Sequence, residues 1–388
     1  MRVFAPYLLL TAITLTGFVA CSGTSTDNNL DAVADQEETA GEDTTLPDAG
    51  DTATLDVEDT TGDIPLDACV PQCDGLNCGP DGCGGSCGEC PIYAKCVAGD
   101  CCMADCEGKE CGPDGCGGWC GMCEENSLCI DTLCLLDSDQ DGVPNEADVF
   151  PNNPDLPGVA EPQTVYAHTD QTLFKMDVKL YLLEEVHDFV WSNDGGAHYV
   201  TDIGFDRYGV LYAVTFENLY TCHPQTGVCT LLGDLPEEFN GLTLIPKGYL
   251  DPFKDVMVGI SEDGGWYRLS VHNGNVEAIK LGEYGGPYTS AGDSYSIMGV
   301  GTFAAVHKAG AASDYLVSVN PSNGQIIEEI GPIEGYTGIF GLAGWSGKAY
   351  AFDKKGDVVL IDTTTGEIEI LHSTEHSWWG AGVATLLN

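Results

Sequence analysis

The chain has 388 residues, enough for two or three modules of which one has a sizeable core. It carries 61 Asp+Glu against 14 Lys+Arg, a formal net charge of −47. Such a field repels phosphate backbones and anionic lipid, so nucleic acid is excluded as a partner, while solubility and divalent cations are favoured.

The first twenty residues read as a signal peptide. Arg2 is the one early charge, and the apolar run through Leu8, Leu9, Leu10, Ile13 and Leu15 is too short to span a membrane. It ends Phe18-Val19-Ala20-Cys21. This resembles the lipobox of bacterial lipoproteins, in which the peptide is cleaved before a Cys whose thiol receives diacylglycerol. Phe18 stands where that family prefers Leu, and ordinary cleavage near Ala20 is the alternative. The resemblance implies a lipid anchor at Cys21, hence an exported protein whose partner is a membrane through its acyl chains. Ser22 after the Cys implies sorting to the outer membrane, facing the surface or the periplasm. Residues 21–68 follow as a tether: 22–68 hold 14 Asp+Glu, no Lys or Arg and no sustained apolar periodicity, so nothing offsets the entropy of ordering. Mutual repulsion extends such a segment.

Of 19 cysteines, Cys21 stands apart and eighteen remain, an even number suited to a disulfide framework. Cys69, Cys73, Cys78, Cys83, Cys87, Cys90, Cys96 and Cys101 have the same spacing as Cys102, Cys106, Cys111, Cys116, Cys120, Cys123, Cys129 and Cys134. Residues 69–134 are therefore two 33-residue repeats, each with Cys-Gly-Pro-Asp-Gly-Cys-Gly-Gly-x-Cys-Gly-x-Cys. Units this small bury little core, so bridges must supply the stability. Cys87-Gly-Glu-Cys90 and Cys120-Gly-Met-Cys123 would suggest zinc in a cytosolic protein; export and the absence of His before His168 favour disulfides. Eight cysteines allow 105 pairings, so no connectivity is assigned. The array resembles tandem Cys-rich repeats of surface proteins in Gram-negative bacteria.

Within 135–158, residues 137–148 read Asp-Ser-Asp-Gln-Asp-Gly-Val-Pro-Asn-Glu-Ala-Asp. Oxygen donors fall at loop positions 1, 3, 5, 9 and 12 (Asp137, Asp139, Asp141, Asn145 and Asp148), Gly142 sits at position 6, and Val143 would offer its carbonyl at position 7. Hard Ca²⁺ wants many oxygens near one point, which alternating Asp along a turning loop supplies. With Phe150-Pro151-Asn152-Asn153-Pro154 after it, the loop resembles a thrombospondin type 3 repeat, which implies Ca²⁺ as cofactor. A plain acidic linker is the alternative.

Residues 162–388 alternate short strands with Gly- and Asn-rich turns. Four segments share one form, with turn glycines Gly227, Gly274, Gly324 and Gly366 spaced 47, 50 and 42 residues apart, which is blade spacing. A weaker fifth copy is Val165-Tyr166-Ala167 … Leu173-Phe174-Lys175-Met176. Gly before an apolar residue marks an inner strand ahead of each outer hairpin: Gly204-Phe205, Gly241-Leu242, Gly299-Val300, Gly341-Leu342 and Gly382-Val383. The last has no hairpin after it and the first hairpin no inner strand before it, so the C-terminal strand completes the first blade. The fold class is all-β: a C-terminal β-propeller of five blades, six as the fallback, after a small disulfide-rich stalk and an acidic tether. Cys222 and Cys229 flank a turn and are expected to bridge across one hairpin. Turns such as Asn320-Pro321-Ser322-Asn323-Gly324 resemble those of secreted and lactonase-like propellers.

All eight His lie in this module without a metal-like pattern; His372 and His376 are four apart but lack a zincin context. No Gly-x-Ser-x-Gly elbow or phosphate loop is present, and no catalytic residue is assigned. The sequence therefore points to a surface-displayed binding module for a protein or carbohydrate ligand, with Trp345, Trp378 and Trp379 either at the propeller mouth or packed between blades. An extracellular hydrolase or lactonase-like enzyme and a structural coat protein are the other two classes.

Overall fold

A computed structural model describes residues 69–192 and 198–387; the expected signal peptide, Cys21 and the expected tether lie outside these residues. Each 33-residue repeat closes on a two-stranded hairpin, Ala94–Val97 with Asp100–Met103 and Ser127–Ile130 with Leu133–Leu136. Both repeats use one trick in their glycine-rich stretch. Asp81 Oδ1 accepts the amides of Cys83 and Gly85, and Asp114 Oδ1 those of Cys116 and Gly118.

Beyond them all but one of the strands among the described residues form five four-stranded antiparallel blades; the short Val190–Trp191 pairs in parallel with the outer strand of the second blade. From the inside outward, blade 1 is Gly380–Gly382, Thr164–His168, Thr172–Asp177 and Leu183–Asp188. Blade 2 is Asp202–Phe205, Leu211–Val214, Asn218–Cys222 and Val228–Asp234. Blade 3 is Gly241–Ile245, Val256–Ile260, Gly265–His272 and Asn275–Glu283. Blade 4 is Tyr288–Ile297, Gly301–Lys308, Tyr315–Val319 and Ile326–Pro332. Blade 5 is Ile339–Trp345, Lys348–Asp353, Asp357–Asp362 and Ile368–Ser373. The C-terminal strand does complete blade 1, with Gly380 opposite His168 and Gly382 opposite Tyr166. A one-residue bridge, Asp234 to Asn275, joins the outer edges of blades 2 and 3.

Buried side chains fill the seams between neighbouring blades. Trp378 is fully buried between blades 5 and 1, its ring 5.0 Å from that of Phe174 and 5.5 Å from that of Phe352. Trp345 is packed against the same cluster, so both tryptophans serve packing. One inner-strand marker is misplaced. Gly299-Val300 lies in the turn after the fourth inner strand, Gly299 with φ +74°, and the glycine at the axis is Gly292. The cause is an unusually long strand, Tyr288–Ile297, with an irregularity between Ser290 and Ser294 that carries Gly292 and Asp293 inward.

The second repeat contacts the propeller through Asp131 at its hairpin tip, paired with Arg207 (2.9 Å) and Lys247. The Arg207 side chain is almost wholly buried there.

Candidate functional site

The five inner strands run side by side around the axis, and glycine lets their backbones touch. A Cβ on Gly292 would stand 2.5 Å from the carbonyl oxygen of Phe340, and one on Gly341 2.7 Å from the carbonyl carbon of Gly380. Two fully buried carboxyls stitch the ring here. Asp202 of blade 2 accepts the Leu242 amide of blade 3 at 2.5 Å. Asp293 of blade 4 accepts the Leu342 amide of blade 5 at 2.7 Å and the Ala381 amide of blade 1 at 3.2 Å. Burial, and for Asp202 also the neighbouring charge of Asp293, pushes both well above the ordinary carboxylate range, and the pair is hydrogen-bonded. Two buried carboxyls in contact hold a shared proton rather than two charges. His168, fully buried, has Nδ1 2.7 Å from the Thr169 carbonyl oxygen and Nε2 3.9 Å from Asp202 Oδ1. Burial lowers its pKa to about 4, so the ring is neutral.

Directly above this plug, where the inner strands begin, a funnel of about 960 Å³ opens. Every blade contributes: Trp379, Thr201, Asn240, Thr289 and Phe340 come from the starts of the five inner strands or the residue just before them, and Gly292 from the middle of its strand. Turns add Phe216 and the Ser261–Asp263 segment, and Lys354 comes from the turn between Lys348–Asp353 and Asp357–Asp362. Trp379 is thus the one predicted tryptophan at the mouth, its ring 6.3 Å from Tyr199 and nearly parallel to it. Charge divides the wall. Glu238, Glu262 and Asp263 belong to blade 3, while His307 and Lys354 stand on blades 4 and 5. His307 Nδ1 is 2.6 Å from Oδ1 of buried Asp314, whose other oxygen accepts the Ile339 amide. That hydrogen bond raises the imidazole pKa above its ordinary value despite partial burial. The other two histidines singled out in the sequence are structural: His372 Nε2 lies 2.7 Å from the Tyr181 carbonyl oxygen, and His376 packs on Phe174 and Trp378.

The acidic loop is a second site. One carboxylate oxygen from each of Asp137, Asp139 and Asp141 lies within 4.8 Å of the others, a group able to hold a metal ion. Asp137 Oδ1 and Oδ2 accept the amides of Gln140 and Gly142, Asp139 Oδ2 that of Asn153, Asp141 Oδ1 that of Val143, and Asp148 Oδ1 that of Phe150. The remaining oxygens, Asp139 Oδ1, Asp141 Oδ2 and Asp148 Oδ2, are buried with no donor. Orphaned anionic oxygens are costly unless a cation collects them, and all-oxygen donors fit a hard one. Burial, together with the charges of Asp148, Asp139 and Asp137, pushes Asp141 up to about 6 against the opposing Val143 amide. Asn145 spends its amide on Ser138 at both ends, Oδ1 accepting the Ser138 amide at 2.9 Å and Nδ2 donating to Oγ at 2.8 Å. Val143 is fully buried.

All eighteen expected cysteines are disulfide-bonded, with one connectivity in both repeats. Cys69–Cys83, Cys73–Cys87, Cys78–Cys96 and Cys90–Cys101 recur as Cys102–Cys116, Cys106–Cys120, Cys111–Cys129 and Cys123–Cys134. Cys78, Cys90 and Cys101 converge, as do Cys111, Cys123 and Cys134, but bridges already claim these sulfurs. Cys222–Cys229 crosses its hairpin as expected. Sequence reasoning missed the Asp202–Asp293 plug and the His307–Asp314 pair, whose partners meet only across blades or hairpins.

No family model matches the sequence, nor does any curated protein. Among solved structures, BamB from Moraxella catarrhalis is similar at 13% identity and TM-score 0.29, over 57% of this chain and 62% of that one. A Bacteroides thetaiotaomicron protein of unknown function has 15% identity and TM-score 0.37 over 58% and 63%. Myxococcus xanthus glutaminyl cyclase has 16% identity and TM-score 0.32 over 48% and 72%. The chain spans less than two thirds of the BamB chain.

Proposed function

We propose that this chain is an exported lipoprotein of the outer membrane that presents its propeller funnel as a binding surface for a protein or carbohydrate ligand. Cys21 would carry the lipid, residues 22–68 the reach, the bridged repeats the rigidity, and a calcium ion the joint to the propeller. The observation that carries the binding role is the funnel: a concave site with aromatic rings and a few polar groups, fed by all five blades. Three donor-less carboxylate oxygens support the ion. With Asn145 neutral and engaged, the affinity belongs in the weak extracellular range, Kd roughly 10⁻⁴–10⁻³ M.

Two experiments test the proposal. Binding of the soluble Cys21→Ser chain to glycan and peptide arrays should give a ligand whose affinity falls in Trp379→Ala; binding that survives Trp379→Ala unchanged moves the site elsewhere. Fatty-acid labelling should mark wild type but not Cys21→Ala, and an unlabelled wild type starting at another residue removes the anchor.

A further inference from the structure

The funnel has one wall whose charge runs against the rest of the molecule. With only 14 Lys+Arg among 61 Asp+Glu, cations here mostly sit on carboxylates. Lys175 pairs with Glu161, Lys280 with Glu283, Lys308 with Glu329 and Lys348 with Asp362. Lys354 makes no ion pair among the described residues. Its stem crosses Gly338, where a Cβ would stand 2.5 Å from Lys354 Cδ, and its Nζ lies 5.3 Å from the centre of the Phe340 ring. On the same wall stands His307. The Asp314 contact uses Nδ1, which leaves Nε2 as the ring's remaining donor, and the side chain is 45% exposed. Lys354 is near enough for its charge to oppose protonation of His307, while Asp314 and, more weakly, Glu262 favour it. Two like charges lining one cavity raise each other's energy, a cost that an anion removes.

Resting on the reading that the funnel binds a ligand, we propose that His307 and Lys354 form an anion seat. It takes the carboxylate or phosphate group of a ligand whose apolar part lies against Phe340 and Trp379. On the adjoining blade 3, Glu238, Glu262 and Asp263 repel that group, so the ligand enters in one orientation, with hydroxyl or amine donors toward blade 3. Charge-assisted hydrogen bonds from a lysine and an imidazolium are the stronger kind, and the partly enclosed wall screens them less than open surface would.

The test uses the soluble Cys21→Ser chain and three small probes, benzoate, phenyl phosphate and neutral benzyl alcohol, titrated by calorimetry at low salt. Benzoate or phenyl phosphate should bind at least roughly tenfold tighter than benzyl alcohol, and the tighter of the two anions names the group. Lys354→Met and His307→Gln should each remove most of that preference, weakening the anions several-fold more than benzyl alcohol. The anion preference should also decline as the pH rises through the His307 titration. Equal binding of neutral and anionic probes, or charge variants that bind anions like wild type, overturns the seat while leaving the funnel intact. Trp379→Ala weakening all three probes alike shows the funnel itself at work. If no probe binds at all, both readings fall.

Discussion

Replacing Asp141 by Asn should make the calcium-free protein more stable and calcium-insensitive at once. Asp141 Oδ2 is buried without a donor beside Asp139 Oδ1 and Asp148 Oδ2, in the same condition. Burial first, then the charges of Asp148, Asp139 and Asp137, raise its pKa from 3.8 to about 6. That rise corresponds to about 3 kcal/mol against the charged form; the residue is only half-buried, and solvent screening reduces this to about 1 kcal/mol. A carboxyl whose folded pKa is raised costs stability above that pKa, and the cost fades as the pH falls from about 6 toward 4. Calcium-free wild type should therefore gain stability on mild acidification, and Asp141→Asn should not. At about 2 mM calcium and Kd roughly 10⁻⁴–10⁻³ M, binding stabilises the wild type by about 0.7–1.8 kcal/mol. Scanning calorimetry in chelator and in calcium separates the two effects. A variant that melts below wild type in chelator, or gains as much from calcium, refutes the account of the loop.

Three further outcomes follow from the packing and the funnel. Trp378→Ala removes a fully buried ring and its indole N–H to the Gly356 carbonyl; it should cost about 4 kcal/mol and lower the melting temperature by about 8–16 °C. Gly292→Ala forces a Cβ against Phe340 backbone and should cost about 1–3 kcal/mol in chemical denaturation; a neutral result would mean that the inner strands separate freely. NMR should place the His307 titration above its ordinary value and move it down in Asp314→Asn, where burial and Lys354 act unopposed by that carboxylate. The stabilising contribution of that pair is complete at low pH and is lost as the pH rises through the folded pKa, so an unshifted midpoint in wild type would remove it.

What could be read from the sequence was what repeats or lies close together. Blade number and closure by the last strand followed from recurring turn glycines and from one hairpin left without an inner strand. The acidic loop was legible because twelve consecutive residues carry its spacing, although the claim of Ser138 on Asn145 depends on a fold-back that spacing does not encode. Gly299 misled because a longer, irregular strand placed Gly292 at the axis instead. Asp202 and Asp293 looked like any of the 61 acids; only pairing across blades buries them. The bridge pattern was hidden for the same reason, since spacing shows that the units match without saying which sulfurs meet. The funnel is assembled from the starts of five strands scattered between Thr201 and Trp379, each unremarkable alone.

The strand that completes the first blade has a consequence for how the chain is made. Its partner, Thr164–His168, leaves the ribosome long before Gly380–Gly382. A nascent chain therefore holds an open ring until Gly380–Gly382 has emerged, because Asp293 lacks the Ala381 amide and His168 its Gly380 neighbour until then. Contacts this distant in sequence close slowly. A chain truncated before Gly380 would expose the Thr164–His168 edge to other strands and to proteases.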